Sequence, residues 1–286
     1  MPNPLRHRIP KWILKHLNAL LFPPLCAFCE NPASELPRPF EGICRSCLAK
    51  IPFRPISEVR TLCLEHRNRE IMDLRNPGDH NMDVIVACYY ETMIRKALIS
   101  MKFYEAAYMK HALGCIACHT VIGQKDKFDA IIPVPLHPSR MRERGYNQAG
   151  LIAAEIAGFL DIPVLEDCLV RQKNTKRQSE MNHYSDRLQN VSDAFRCVNP
   201  AILAGKRLLL VDDILTSGET MMSAAVAIRH AVADYCQNTK NCRKGSDGNE
   251  VYGNEAHGKE ADEKEKGHGL EDFHLTGFVL ASARRG

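Results

Sequence analysis

Leu208-Leu209-Leu210-Val211-Asp212-Asp213-Ile214-Leu215-Thr216-Ser217-Gly218-Glu219-Thr220 is the stretch of this 286-residue chain from which the fold can be read. Its apolar start, Leu208 to Val211, predicts a buried strand over 207–211; two acids, a hydroxyl-rich turn with one glycine, and a helix over 219–233 follow. Successive N–H groups at a helix N-terminus form a concavity that binds anions, and the helix dipole adds to it. The hydroxyls of Thr216, Ser217 and Thr220 can donate to phosphate oxygens, and Gly218 permits a positive φ and close backbone approach. Asp212 and Asp213 accept hydrogen bonds when ionised, which suits them to sugar hydroxyls rather than to phosphate. A strand, a helix cap and a helix need no ligand, but a cap needs only one acid. Neither GxxxxGK[ST] nor a GxGxxG after a strand competes as a phosphate motif.

Outward from this stretch, strands are predicted at 84–90, 129–134, 163–170 and 273–281, and helices at 93–102, 108–122 and 147–160. Apolar strands separated by helices imply an α/β fold with a parallel sheet covered on both faces. Residues 171–190 are polar, basic and without apolar periodicity, the mark of a long functional loop. Residues 235–272 are rich in Lys, Glu, Gly, Asn and His, and are expected to be a disordered insertion. His257, His268 and His274 lack ligand spacing and are read as solvated.

Three regions result: an amphipathic helix over 1–24, a cysteine module with its linker over 25–82, and the α/β domain over 83–286. In the first, Ile9, Trp12, Ile13, Leu17, Leu20 and Leu21 recur at helical spacing among Arg6, Arg8, Lys11 and Lys15. Such a helix packs on its own domain or lies on a membrane surface; Lys15, His16 and Asn18 break the apolar run a secretory peptide needs. No run approaches the roughly 18 apolar residues of a membrane helix, so no integral membrane segment is expected. The net charge of +4 is uneven: 238–272 holds six basic and nine acidic residues, leaving the remainder more basic and suited to an anionic ligand.

Cys26-x2-Cys29 and Cys44-x2-Cys47 stand fourteen residues apart, and two such pairs can complete a tetrahedral Cys₄ zinc site. Four thiolates leave no open position, so the predicted role of the zinc is structural. The other reading is redox pairs or buried thiols. Cys63-x2-His66 is a degenerate pair or a substitute ligand set, and Cys115-x2-Cys118 is read as core packing. Twelve cysteines scattered this way point to a reducing compartment, hence the cytoplasm.

Val211 through Thr220 resembles the signature of type I phosphoribosyltransferases that binds 5-phosphoribosyl-1-pyrophosphate (PRPP), and the whole chain resembles the ComF family, associated with competence and DNA uptake. The likeness extends to Ile132-Pro133-Val134-Pro135-Leu136-His137, to Arg142-Glu143-Arg144-Gly145-Tyr146-Asn147-Gln148-Ala149, to Thr175-x-x-Gln178 with Arg187-x-x-Asn190, and to the paired cysteines. It implies that Asp212 and Asp213 are catalytic and hold the ribose of PRPP, and that Thr216, Ser217, Gly218, Glu219 and Thr220 hold its 5′-phosphate. The turn after Pro135 would face the pyrophosphate, with Arg140 or Arg144 paired to it and Lys102 reaching the same anion. Solvated positions at helix ends are the other reading of Lys102 and both arginines. Mg²⁺ would accompany PRPP, bound through ligand oxygens. The loop carrying Arg171, Thr175, Arg177, Gln178, Arg187 and Asn190 would close as a lid. The activity implied is transfer of phosphoribose to an unidentified acceptor with release of pyrophosphate. The alternative is a non-catalytic PRPP- or nucleotide-binding protein that binds single-stranded DNA; single-stranded DNA or DNA-uptake proteins are the implied partners.

Overall fold

The computed structural model describes residues 25–33, 39–55, 59–63, 81–103, 106–172, 194–245 and 273–283. The expected N-terminal helix, the body of the 171–190 loop, His66 and residues 246–272 lie outside them.

Alternation along one strand builds two cores. Leu209 and Val211 enter a core with Ile94, Leu98, Leu113, Ile116, Ile152 and Ile156. Leu208 and Leu210 enter another with Met221, Ala225, Ile228, Leu203 and Phe195. That strand is β6 (Arg207–Leu215), and side chains of period two let it be buried on both faces. The sheet runs β1 (Val59–Cys63), β2 (Asn81–Tyr89), β7 (His274–Ser282), β6, β3 (Ala130–Pro133). The last four strands are mutually parallel, as the α/β reading required, and β1 pairs antiparallel to β2. Helices α2 (Thr92–Phe103), α3 (Ala106–Thr120) and α5 (Gln148–Leu160) cover one face; α6 (Glu219–Gly245) covers the other.

Four expectations are revised. Residues 59–63, read as irregular linker, form an edge strand. The run 163–170 is divided: Val164 bridges Ile131 in parallel, while β4 (Leu169–Arg171) pairs antiparallel with β5 (Phe195–Cys197) in a separate two-stranded sheet. The chain bends between the two pieces, where the Cys168 thiol donates to Leu165 O at 3.2 Å. A helix, α4 (Pro138–Arg144), lies between the strand predicted at 129–134 and the helix predicted at 147–160, where only a turn after Pro135 was expected; Pro138 starts it, His137 Nδ1 accepts from the Ser139 amide, and Gly145 at φ 77° ends it. Finally, α6 continues past 233 to Gly245, into the first part of what composition assigned to the insertion at 235–272. Gln237, Lys240, Arg243 and Lys244 are good helix formers, and no glycine or proline interrupts before Gly245.

The cysteine module, which includes the short α1 (Arg45–Leu48), is continuous with the first core: Cys26, Ile43, Cys47 and Ile51 are buried in the cluster that contains Met101, Leu113 and Ile116. Phe40 and Phe53 close on the His119 ring at 4.8 and 5.1 Å, and burial holds that imidazole below its usual pKa. Phe53 bridges Cys88 of β2, and the Arg54 guanidinium lies 4.3 Å over the Tyr89 ring.

Candidate functional site

β6 outruns its neighbour. The ladder between β3 and β6 ends at Pro133↔Val211, and Val134 N then donates to Val211 O at 2.8 Å before the chain turns away. Beyond that level β6 is paired, among the described residues, on its β7 side alone, through Asp212↔Val279, Ile214↔Ala281 and Leu215↔Ser282. The overhang leaves a notch at the carboxyl ends of parallel strands, where open α/β sheets place their ligands.

Asp212 and Asp213 stand at this notch, both half-buried. They lie within the strand, two residues before its end, rather than after it as the sequence suggested. Period-two alternation carries Asp212 onto the face of Leu208 and Leu210, and Asp213 onto the face of Leu209 and Val211. Asp212 Oδ1 accepts from the Asp213 amide at 2.8 Å, which fixes one carboxylate across the strand.

The bend that follows exposes Thr216 and Ser217, half-buries Thr220 and buries Gly218 at φ 83°. A side chain at Gly218 would be strained, and its lack of one lets the backbone enter α6 directly. Glu219 N lies 3.5 Å from Ser217 Oγ, and Glu219 O accepts from Ser223 Oγ at 2.6 Å. Among the described residues no chain group accepts from the amides of Thr216, Ser217 or Gly218. Three donors ahead of a 27-residue helix can therefore meet an anion.

The wall opposite is the segment from Val134 to Gln148. Pro135 is half-buried in the turn after β3. Arg140 and Arg144, four residues apart on α4, are half-buried, whereas Met141, Arg142 and Glu143 between them are exposed. The helix thus turns both candidate arginines inward. Arg144 Nη1 donates to Gln148 Oε1 at 3.1 Å, Asn147 Nδ2 donates to Val134 O at 3.0 Å, and the Tyr146 hydroxyl donates to Met101 O. Met101 precedes Lys102 on the last turn of α2, so these bonds tie α2, the β3 end and α5 together. Thr175, Arg177, Gln178, Arg187 and Asn190 fall outside the described residues.

One residue expected in the lid loop takes a different place in the structure. Arg171, read as part of a basic loop, belongs to β4, directly opposite Phe195 of β5, with its guanidinium 5.3 Å from the Phe195 ring centroid. Burial, and after it the positive charge of Arg140, holds the Arg171 pKa below its usual value, while Asp212 acts in the opposite direction. Arg171, Arg140 and Asp212 are therefore electrostatic neighbours. The only hint in the sequence was the strand Phe195-Arg196-Cys197 on the far side of the loop, able to pair with Leu169-Val170-Arg171.

Apart from the notch, Cys26, Cys29, Cys44 and Cys47 bring their sulfurs within 4.8 Å of one another, a group able to hold a metal ion. Tetrahedral thiolates around an ion at about 2.3 Å stand about 3.8 Å apart. The Cys29 and Cys44 sulfurs are 3.7 Å apart. Cys44 N points at Cys26 Sγ (3.3 Å) and Cys47 N at Cys44 Sγ (3.4 Å), amide donors of the kind that favour thiolate. The Cys47 amide is the main reason that the Cys44 thiol is lowered to about 6. The donor set fits a metal. Cys115 and Cys118 are instead core residues, their thiols raised to about 12 chiefly by burial.

No helix among the described residues is long and apolar enough to cross a membrane. No family model matches the chain. Relatives of known name do. Competence protein F of Haemophilus influenzae is 39% identical over 102 residues, 35% of this chain and 44% of that protein. Competence protein ComFC of Bacillus subtilis is 28% identical over 225 residues, 70% of this chain and 87% of that protein. DNA utilization protein YhgH of Escherichia coli (strain K12) is 30% identical over 97 residues, 34% of this chain and 41% of that protein. The matched stretch thus spans less than half the length of the first and third of these. The parallel sheet and paired cysteines agree with the motifs read in the sequence, and the chain is similar to these competence and DNA-utilization proteins, the relatives expected from its resemblance to the ComF family.

Proposed function

We propose that the notch binds PRPP and that the protein transfers its phosphoribosyl group to a nucleophilic acceptor, releasing pyrophosphate, in the handling of DNA taken up from outside. The observation that carries this reading is the pairing of two half-buried acids at the end of a central parallel strand with a bend of unclaimed amides and exposed hydroxyls. Asp212 and Asp213 would accept from the ribose hydroxyls, and Thr216, Ser217, Gly218, Glu219 and Thr220 would surround the 5′-phosphate. On the opposite wall Pro135, Arg140, Arg144 and Lys102 would face the pyrophosphate. In the transfer, the bond from ribose C1 to the pyrophosphate oxygen breaks and its electron pair leaves with pyrophosphate. The acceptor's lone pair forms the new bond at C1, and its proton departs. Guanidinium charge near the leaving group and carboxylates near the ribose, where positive charge grows, favour that change electrostatically. Mg²⁺, carried by ligand oxygens, would neutralise charge on the pyrophosphate. Zinc is the ion proposed for the four cysteines, and reduced thiols suit a cytoplasmic location.

The names of the relatives favour a second reading, in which PRPP or a nucleotide is a bound signal and the protein holds single-stranded DNA without turnover. Thermal shift with PRPP and Mg²⁺ tests the first element of both. Ligand at a hundredfold over its Kd should stabilise the fold by about 2.7 kcal/mol. Asp213→Asn should abolish the shift while leaving the bound metal at its wild-type level. No shift for the wild type refutes the proposal. A shift without pyrophosphate release, alongside salt-sensitive DNA binding that survives Asp212→Asn and Asp213→Asn, selects the second reading.

A further inference from the structure

Gln148 is 2% exposed, and among the described residues its Nε2 has no hydrogen-bond partner. A buried amide donor without an acceptor destabilises a fold relative to an apolar side chain of similar volume. Packing therefore gives no reason for glutamine at the first position of α5. The other end of the carboxamide has a definite use: Oε1 accepts from Arg144 Nη1 at 3.1 Å. Arg144 is the last residue of α4, after which Gly145 reverses the chain at φ 77°, so the helix alone leaves its long side chain free to rotate. The receiving oxygen is itself immobile. Asn147, the residue before it, caps α5 through the Ala149 amide and is bonded to Val134 O at the end of β3. From Val134 a single hydrogen bond leads to Val211, the neighbour of Asp212.

We infer that Gln148 is a positioning residue of the notch, kept at a cost in stability because its oxygen holds the Arg144 guanidinium toward the anion that leaves ribose C1. The inference rests on the PRPP reading and adds a residue to it. It predicts opposite effects on stability and on binding, which a merely structural glutamine would not produce. Gln148→Met conserves volume and removes the unsatisfied donor. Its thermal midpoint without ligand should equal or exceed that of the wild type. Its affinity for PRPP with Mg²⁺, by calorimetric titration, should fall on the order of tenfold, the loss expected of one misplaced charged donor. Affinity for ribose 5-phosphate, which has no pyrophosphate, should be unchanged. In an Arg144→Ala background Gln148→Met should have no further effect on PRPP. Unchanged PRPP affinity in Gln148→Met, a parallel loss of ribose 5-phosphate, or a lowered midpoint or failure to fold each overturns the inference and leaves the PRPP reading standing. Absence of PRPP binding to the wild type overturns that reading, and the inference with it.

Discussion

Gly277 is a point at which the sheet beneath the site is too crowded for a side chain. It lies on β7 between β2 and β6, in register with Val84 on one side and Leu210 on the other. A Cβ built there stands 2.9 Å from Val84 Cγ2, 3.4 Å from Val84 Cγ1 and 3.2 Å from Met82 Cε. Met82 meets it with the end of a flexible chain and can withdraw. Val84 cannot, because it is fully buried and its branched Cβ is restricted in χ1. Overpacking of this kind costs about 1–3 kcal/mol, offset by the roughly 0.4–1 kcal/mol gained from restricting the unfolded chain. Gly277→Ala should therefore destabilise by about 1–2 kcal/mol, and the thermal midpoint should fall by about 2–4 °C per kcal/mol. Val84→Ala alone removes two buried methyl groups at about 0.8 kcal/mol each and leaves a cavity, about 2 kcal/mol in all. In the double variant the new methyl enters the space that the valine vacates. The costs should not add: the double variant should be within about 1 kcal/mol of Val84→Ala, a coupling of about 1–2 kcal/mol. Denaturant titration of the four proteins measures it. Additive costs, or a Gly277→Ala as stable as the wild type, would refute the claim that close strand approach is what requires glycine there.

Asp129 accepts from Arg207 N, Nε and Nη2 at 2.8, 3.2 and 2.7 Å, and these bonds, first the side-chain one, hold its carboxyl below the usual value. A carboxyl depressed in the folded state contributes stability above its unfolded pKa of about 3.9 and loses it as pH falls through the lower folded value. The difference in melting midpoint between wild type and Asp129→Asn should thus be constant from about pH 5 to 7 and shrink below about 4; a gap that persists at low pH contradicts the assignment. Cys44→Ser should remove the bound metal, measured by elemental analysis. Because Cys26 and Cys47 share a core with α3, calorimetry should show one transition shifted downward. A separate early transition with the main one unmoved would mean that the module folds independently.

The sheet was readable because its strands are buried on both faces, and uninterrupted apolar runs such as 208–211 have few other uses in an α/β chain. The bend after β6 was readable as structure because its residues are contiguous: hydroxyls, glycine and helix start follow one another. The unreadable parts depend on where a neighbour stops. Nothing in Asp212-Asp213 says that β3 ends one pair earlier, yet that ending turns a continuing strand into an open notch. Likewise Arg171 reads as one more cation of a basic loop until β4 pairs with β5, residues more than twenty positions away. Pairing turns its guanidinium over Phe195 and under the influence of Arg140 and Asp212. The short parallel bridge at Val164 adds to this dependence on pairing: it brings the chain beside β3 just before β4 begins, and so sets where the strand that carries Arg171 starts.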